Sequence, residues 1–512
     1  MRKIKYIDPF SPKVRDLAKQ FDDVTAKRDV SAIENLIDVA NSMLPTEDRI
    51  SQAQLYYSIA TAYSDIEVIN QKHDENSIKK QLYNYRKSIE TIENEKIYKR
   101  QVLPYVSAFK CILYINYANL LNACGRKISA IEQYEKALNI NPEFGMALGN
   151  LGRAYWNYAM LLQDDFYKEC LHYHACDNLM LAIDSSDKNT PPSIKEEFRK
   201  FIQYYSPEYI QYVYNTNLEI PQKEYEDSEE SLYRVWGLEN KLFLNPLVDL
   251  PLPENYFAND EIQLPDMIAK IGDHPIPYGF FNQIKQEYIY ARYLYYSTLK
   301  YSDSPHFADK DTFLVNTPDA PQYSIRIENL KASFKTLYGL FDKIAYFLNS
   351  YFKLGIHERD VSFNSIWLNS HGREGKPGYY TYENTLKPTK NIALFALYWI
   401  EKDFVEKFED SPNPFLKRIK EVRNALEHKY VKIIDDKLYP DYQNDKYDSL
   451  ALYVSEHEFY KITMELLKIL REAIICLSLC VGIEETNKRT ALPSDIAIPK
   501  INFETYEDKW KI

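Results

Sequence analysis

Small and aromatic residues recur with a 34-residue period between Cys111 and Tyr155, and this repeat constrains the fold more than any other feature of the chain. Ala118 and Gly152 occupy equivalent positions 34 residues apart. Small residues let two helices approach closely, and aromatic side chains fill the groove between neighbouring helix pairs. The other matching positions are Gly125, Ala130, Tyr134, Ala137 and Pro142 in one unit and Leu148, Leu151 and Tyr155 in the next. The pattern predicts a solenoid of stacked helical pairs.

This order of small, turn, aromatic and helix-ending residues resembles the tetratricopeptide repeat over two units. Fainter units flank the two clear ones. Their residues are Tyr56, Ile59, Ala60 and Tyr63 upstream, and Ala175, Leu179 and Ala182 downstream. We therefore predict a helical, tetratricopeptide-like domain at residues 1–205, with its repeats beginning near residue 30.

Proline spacing marks the end of the repeats. Seven prolines lie between Pro221 and Pro277, and long helices cannot run through such spacing. Trp236 and the apolar run 242–244 give this region side chains that can pack on a core. Residues 206–280 are therefore predicted to form a packed connector.

Four long apolar stripes with helical spacing follow the connector and predict a helical bundle at residues 281–482. They are Phe334–Leu337–Phe341–Ile344–Leu348–Phe352, Ala393–Leu397–Ile400–Phe404–Phe408, Phe415–Ile419–Val422–Leu426–Tyr430–Ile433 and Phe459–Ile462–Leu466–Leu470–Leu477. An insertion at 355–390 contains an extended-looking segment, 361–367, and residues 483–512 are predicted to be an irregular tail. With only 13 glycines in 512 residues, turn-dense β folds are disfavoured, and an all-α fold is expected.

Charge and cysteine usage narrow the classes of function. A net charge of −11 argues against non-specific coating of nucleic acid or membrane, although a local basic patch remains compatible with it. The six cysteines lack a zinc-like double CxxC pattern, which favours free thiols in a reducing compartment. No signal-peptide core or apolar membrane-spanning run is present. We expect a cytoplasmic protein without a membrane partner.

Two segments suggest ligand sites but fit them poorly. The glycine-bearing loop from His371 to Gly378 departs from the Walker phosphate-binding pattern, because Pro377 follows Gly375-Lys376. The segment from Cys170 to Cys176 contains two histidines, but helical geometry places its four candidate metal ligands on two different faces. We therefore expect the first segment to be a surface loop and the second a structural helix, and we expect no bound metal and no cofactor.

The strongest chemical signal is the segment Arg423-Asn424-Ala-Leu-Glu427-His428. Helical geometry places Asn424 and His428 opposite the apolar stripe and Arg423 on its flank, so a buried structural histidine is disfavoured. Two plain alternatives remain: Arg423 and Glu427 are spaced as an i,i+4 ion pair on a solvated helix, and an exposed histidine needs no function.

An arginine, a polar residue and then a histidine, on a late helix of an α-bundle, resembles the HEPN superfamily, which includes many metal-independent endoribonucleases. The matching residues are Arg423, Asn424 and His428. Fusion to tetratricopeptide repeats is similar to HEPN proteins of prokaryotic defence and toxin-like systems. The insertion at 355–390 is a departure from a minimal HEPN bundle.

The chemistry of these residue types agrees with that resemblance. Cleavage of RNA without metal needs a base for the ribose 2′-hydroxyl, an acid for the leaving oxygen and positive charge at phosphate. His428 can transfer protons, Arg423 can bind phosphate, and the Asn424 amide can orient the imidazole. Between Lys417 and Lys432, six basic residues oppose two acidic ones, and Lys417, Lys420 and Lys429 are predicted to bind RNA.

One histidine cannot act as both acid and base in one step. The resemblance implies a homodimer in which two bundles share one cleft, while the solenoid senses a trigger or docks a protein partner. The competing hypothesis is a non-enzymatic tetratricopeptide adaptor whose bundle dimerises or binds RNA or nucleotide.

Overall fold

The computed structural model describes residues 6–72, 74–94, 99–218, 220, 223–225, 227–251, 255–270, 272–300, 304–370, 379–380, 386–404, 414–435, 437–438, 448–493 and 503–511. Within these ranges the chain forms sixteen α-helices and four short strands, together with several short 3-10 turns. The predicted all-α fold is confirmed.

Nine helices make up the N-terminal region, and consecutive helices pack on each other in pairs. Their bounds are α1 Pro12–Ala26, α2 Val30–Met43, α3 Arg49–Asn70, α4 Glu75–Glu93, α5 Leu103–Ala123, α6 Lys127–Ile140, α7 Gly145–Ala159, α8 Asp165–Asp184 and α9 Pro192–Ile202. Gly152 on α7 lies so close to α8 that an added Cβ would be 2.8 Å from the Ala175 carbonyl oxygen. Gly152, a small residue of the 34-residue pattern, therefore allows α7 and α8 to pack closely.

The connector contains α10 (Pro207–Asn215) and α11 (Ser228–Glu239) and packs against later helices. Its buried Asp249 forms an ion pair with Arg471, whose Nη1 lies 2.7 Å from the Asp249 carboxylate. Arg471 also donates hydrogen bonds to the carbonyl oxygens of Phe243 and Asn245. These contacts anchor the connector, consistent with its apolar residues 242–244, which are almost completely buried.

The C-terminal bundle consists of five helices and carries the four strands. Their bounds are α12 Ile276–Thr298, α13 Ile325–Tyr351, β1 Asn369–Ser370, β2 Tyr379–Tyr380, α14 Ile392–Lys402, α15 Pro414–His428, β3 Tyr430–Ile434, β4 Ala451–Ser455 and α16 Glu456–Ala491. Caps begin three of these helices: the side chains of Ser324, Asn391 and Ser455 accept hydrogen bonds from backbone N–H groups of α13, α14 and α16. The apolar faces meet in one core that includes the fully buried Trp399.

Three local predictions were wrong. The third stripe was extended as a helix through Tyr430 and Ile433, but α15 ends at His428, and residues 430–434 form β3, which pairs in parallel with β4. Aromatic and β-branched side chains favour a strand there, and the spacing of Tyr430 and Ile433 did not reveal the difference. Segment 361–367 is not extended, because it contains a 3-10 turn at Ser365–Trp367. Helix α16 continues to Ala491, so residues 483–491 of the predicted irregular tail are helical.

The N-terminal helices and the bundle are in direct contact. Gly125, in the turn before α6, has φ +80°, and an added Cβ would lie 2.3 Å from the carbonyl oxygen of Ile392 in α14. Only glycine combines this backbone conformation with such a close approach. Gly125 thus allows the turn before α6 to approach α14 of the bundle.

Candidate functional site

The exposed face of α15 carries the residues that the sequence motif selected. Ile419, Val422 and Ala425 are buried and attach α15 to the bundle, while Asn424 and His428 are exposed. This arrangement follows from helical periodicity, since residues three or four apart share a face. His428 is the last residue of α15, and β3 begins two positions later.

The guanidinium of Arg423 and the imidazole of His428 both approach one carboxylate oxygen of Glu427. Arg423 Nη2 is 3.0 Å from Glu427 Oε2, and His428 Nε2 is 3.8 Å from the same oxygen. The expected i,i+4 ion pair is therefore present, and it brings the guanidinium and the imidazole to one anionic atom. A carboxylate oxygen in this position stands where an oxygen of a phosphate could bind.

Asn424 has a different partner from the one expected. Its Oδ1 accepts a hydrogen bond of 3.0 Å from Arg423 Nη1, so the amide contacts the guanidinium rather than orienting the imidazole. One N–H of the guanidinium, at Arg423 Nε, is buried without a hydrogen-bond partner among the described residues.

Side chains of α13 lie beneath Arg423 and form the floor of the candidate site. The sequence pattern did not predict this contact. The Arg423 guanidinium lies over the ring of Tyr338, 5.3 Å from its centroid, which is a cation–π contact. Asp342, one turn further along α13, accepts a hydrogen bond of 2.9 Å from the backbone N–H of Phe363. Burial raises the pKa of Asp342 and outweighs the hydrogen bond and the nearby Arg423, both of which lower it, while Glu427 adds a further increase.

Fewer basic side chains are available to RNA near the motif than the six counted between Lys417 and Lys432 in the sequence. Arg418 forms ion pairs with Glu458 at 2.6 Å and Glu421 at 3.2 Å. Lys432 is buried against Asp319, at 2.5 Å, and contacts Asp448 at 3.3 Å. Both cations are thus matched by carboxylates within the fold and contribute little free charge for RNA.

The three predicted RNA-binding lysines differ in their positions. Lys429 is exposed directly after His428, and Lys420 is half-buried on α15. Lys417 belongs to α15, but its side chain lies outside the described residues. Of the two whose side chains are described, Lys429 is the one that is exposed to solvent beside the motif.

The two other segments considered as ligand sites, His371–Gly378 and Cys170–Cys176, give less support for a site than the α15 motif does. The loop His371–Gly378 lies outside the described residues. In α8, Cys170 and Cys176 are buried, and His172 Nδ1 lies 3.1 Å from the Tyr205 hydroxyl oxygen. Burial lowers the pKa of His174 to about 4. Across the described part of the chain, His, Cys, Asp and Glu side chains form no group of three or more that could hold a metal ion.

One comparison with known proteins gives a match. Residues 268–484 match the family model described as LA2681-like HEPN. The matched range contains α12 to α15, most of α16, the insertion and the Arg423–His428 motif. No curated protein and no solved structure matches the chain. The match supports a HEPN domain in the C-terminal region, and the N-terminal region is helical. None of the helices in the described ranges is both long and apolar enough to cross a membrane.

Proposed function

We propose that this protein is a metal-independent endoribonuclease of the HEPN type. The observation that carries the proposal is the convergence of Arg423 Nη2 and His428 Nε2 on one oxygen of Glu427, at 3.0 and 3.8 Å. A phosphate that replaced this carboxylate would meet the guanidinium and the imidazole together.

The roles follow from the chemistry of the groups. Arg423 would hold the scissile phosphate and stabilise the charge that develops on it in the transition state. His428 would move a proton, either from the ribose 2′-hydroxyl or to the leaving 5′-oxygen. Asn424 would fix the guanidinium through its 3.0 Å hydrogen bond, and the exposed Lys429 would attract the RNA backbone.

A homodimer would complete the site. In-line transfer needs an acid and a base, whereas one motif contains one histidine, so a second motif across a two-fold axis would supply the missing group. His428 is 71% exposed at the end of α15, which leaves it open to a partner bundle. We further propose that the helical N-terminal region is a tetratricopeptide-like module that docks a protein or trigger in a bacterial defence or toxin-like system.

A cytoplasmic location is part of the same proposal. All six cysteines are free and buried, which suits a reducing compartment.

A second candidate function is favoured by one specific contact. The 3.0 Å Arg423–Glu427 pair engages the guanidinium within its own helix, as it would on a bundle without catalytic activity. On this alternative, the protein is an adaptor whose bundle dimerises or binds RNA or nucleotide.

Cleavage assays separate the two candidates. Purified full-length protein should cleave RNA in excess EDTA and leave 2′,3′-cyclic phosphate ends, and His428→Ala and Arg423→Ala should abolish cleavage with an almost unchanged Tm. His457→Ala removes another exposed histidine and should retain activity. Activity that disappears with EDTA and returns with Mg²⁺ or Mn²⁺, or that survives in His428→Ala, would contradict the proposal. Toxicity on expression of the wild type, but not of His428→Ala, gives the cellular counterpart.

A further inference from the structure

The α14 end (residues 401–404: the last two residues of the helix and the two that follow) is joined to the solenoid by a buried ion cluster. Asp403 accepts hydrogen bonds from Arg86 Nη1 at 2.7 Å and Nη2 at 2.9 Å, and from Arg126 Nη1 at 2.6 Å. Arg126 also pairs with Glu472 of α16 at 2.9 Å. Arg86 is 9% exposed and the other three residues are less so. Two cations from the solenoid thus hold one carboxylate at the end of a bundle helix.

The residue after Asp403 contacts the floor of the candidate site. The Phe404 ring lies 6.2 Å from the ring of Tyr338 and 5.0 Å from that of Phe341, measured between centroids. The Tyr338 ring in turn supports the Arg423 guanidinium at 5.3 Å. A continuous series of packed side chains therefore joins Asp403 to Arg423.

A second set of contacts joins the same two places. Glu401 Oε1 accepts a hydrogen bond of 2.5 Å from Asn364. The neighbouring residue Phe363 donates its backbone N–H to Asp342 on α13, and its ring lies 5.1 Å from that of Phe341. The end of α14 thus contacts the α13 floor through both aromatic packing and hydrogen bonds.

We infer that Asp403 is a positioning residue for Arg423, held in place by Arg86 and Arg126 of the solenoid. The inference rests on the proposed nuclease function only for its effect on rate. Loss of one arginine leaves a buried carboxylate with fewer partners, and buried charges need full pairing. The α14 end then shifts toward water, and because packed interiors transmit such shifts, the α13 floor moves with it.

Arg86→Met in the full-length chain tests this inference, with Lys241→Met as the matched control. Lys241 also joins the solenoid to the rest of the chain, through an ion pair of 2.5 Å with Glu135, and its described side-chain hydrogen bonds go to Glu135 rather than to the α14 end. We expect Arg86→Met to lower kcat about 2- to 30-fold, the range of coupling through packed networks, with a smaller change in KM. Arg86→Lys should recover part of the loss. Lys241→Met should leave kcat close to that of the wild type.

Hydrogen exchange of the peptide covering 419–428 gives a readout that does not depend on activity. It should quicken in Arg86→Met and not in Lys241→Met. Phe404→Leu, which leaves the ion cluster intact, should show the same two changes, and it replaces Arg86→Met if that variant fails to fold. Equal exchange and equal kcat in Phe404→Leu and wild type would overturn the inference. If the wild type cleaves no RNA but the exchange of 419–428 is still faster in Arg86→Met, the nuclease function is refuted and the positioning role is supported.

Discussion

Arg423 and Glu427 lie one turn apart on α15, and the Glu427 carboxylate approaches the guanidinium to 3.0 Å at the place where phosphate is proposed to bind. The same carboxylate oxygen is 3.8 Å from His428 Nε2. If the motif binds RNA as proposed, Glu427 competes with the phosphate for both groups. Because it belongs to the motif segment itself, this internal anion is present in every copy of the site.

Glu427→Gln should strengthen RNA binding. Removing the charge frees the guanidinium, and exposed ion pairs of this kind contribute about 0.2–1 kcal/mol, so Kd should fall by up to about fivefold. The measurement is fluorescence anisotropy with labelled RNA at fixed salt, in a His428→Ala background that prevents cleavage. Glu421→Gln removes the same charge from a residue that pairs with Arg418, and we expect a smaller change there. Weaker binding by Glu427→Gln would mean that Glu427 instead holds Arg423 in its binding position.

Gly125→Ala should destabilise the contact between the N-terminal helices and the bundle. The new Cβ would lie 2.3 Å from the Ile392 carbonyl oxygen, and the φ of +80° is unfavourable for alanine. We expect a loss of about 2 kcal/mol or more, measured by urea unfolding. Gly355→Ala is the matched control, because Gly355 has φ +72° but no atom within 4 Å of the added Cβ. Equal losses in the two variants would show that backbone strain alone, and not the contact, accounts for the effect.

The buried Lys432–Asp319 pair should make stability depend on pH in acid. Burial opposes ionisation of Asp319, but hydrogen bonds from Lys432 and Tyr453 outweigh it and lower its pKa to about 2. A carboxyl whose pKa is lower in the folded state stabilises the protein above its unfolded pKa, near 4, and this contribution is lost as pH falls toward 2. Asp319→Asn should therefore be less stable at pH 6 and show a flatter decline between pH 4 and 2, measured by urea unfolding at each pH.

Asp448→Asn provides the comparison for that experiment. Asp448 contacts the same lysine at 3.3 Å but is more exposed, so its loss should cost less. A decline with pH that is identical in Asp319→Asn and wild type would contradict the assignment of the acid dependence to Asp319.

Sequence periodicity predicted most of the bundle helices, although it missed β3 and the end of α16, but it did not predict what the helices contact. The exposure of Asn424 and His428 follows from spacing along one helix, and the structure agrees with it. Tyr338 belongs to a helix about 80 positions earlier, and no local pattern indicates that α13 and α15 pack together. Lys432 counted as basic surface for a similar reason: its partner Asp319 is brought to it only by the fold. Spacing along a helix thus predicts which face of that helix is exposed. Ion pairs between distant residues and the packing beneath Arg423 depend on tertiary structure.

Mixed dimers should test whether the nuclease site is shared between two subunits. If both motifs form one cleft, a dimer of one wild-type and one His428→Ala subunit lacks one of its two proton-transferring groups. An excess of His428→Ala protein should therefore suppress wild-type cleavage, and Arg423→Ala mixed with His428→Ala should recover little or no activity. Activity is measured after subunit exchange has been verified with differently tagged chains. His457→Ala, an exposed histidine outside the motif, serves as the excess control and should leave cleavage unchanged. A monomer by sedimentation that cleaves at full specific activity would rule out the shared site, because one bundle would then supply both acid and base.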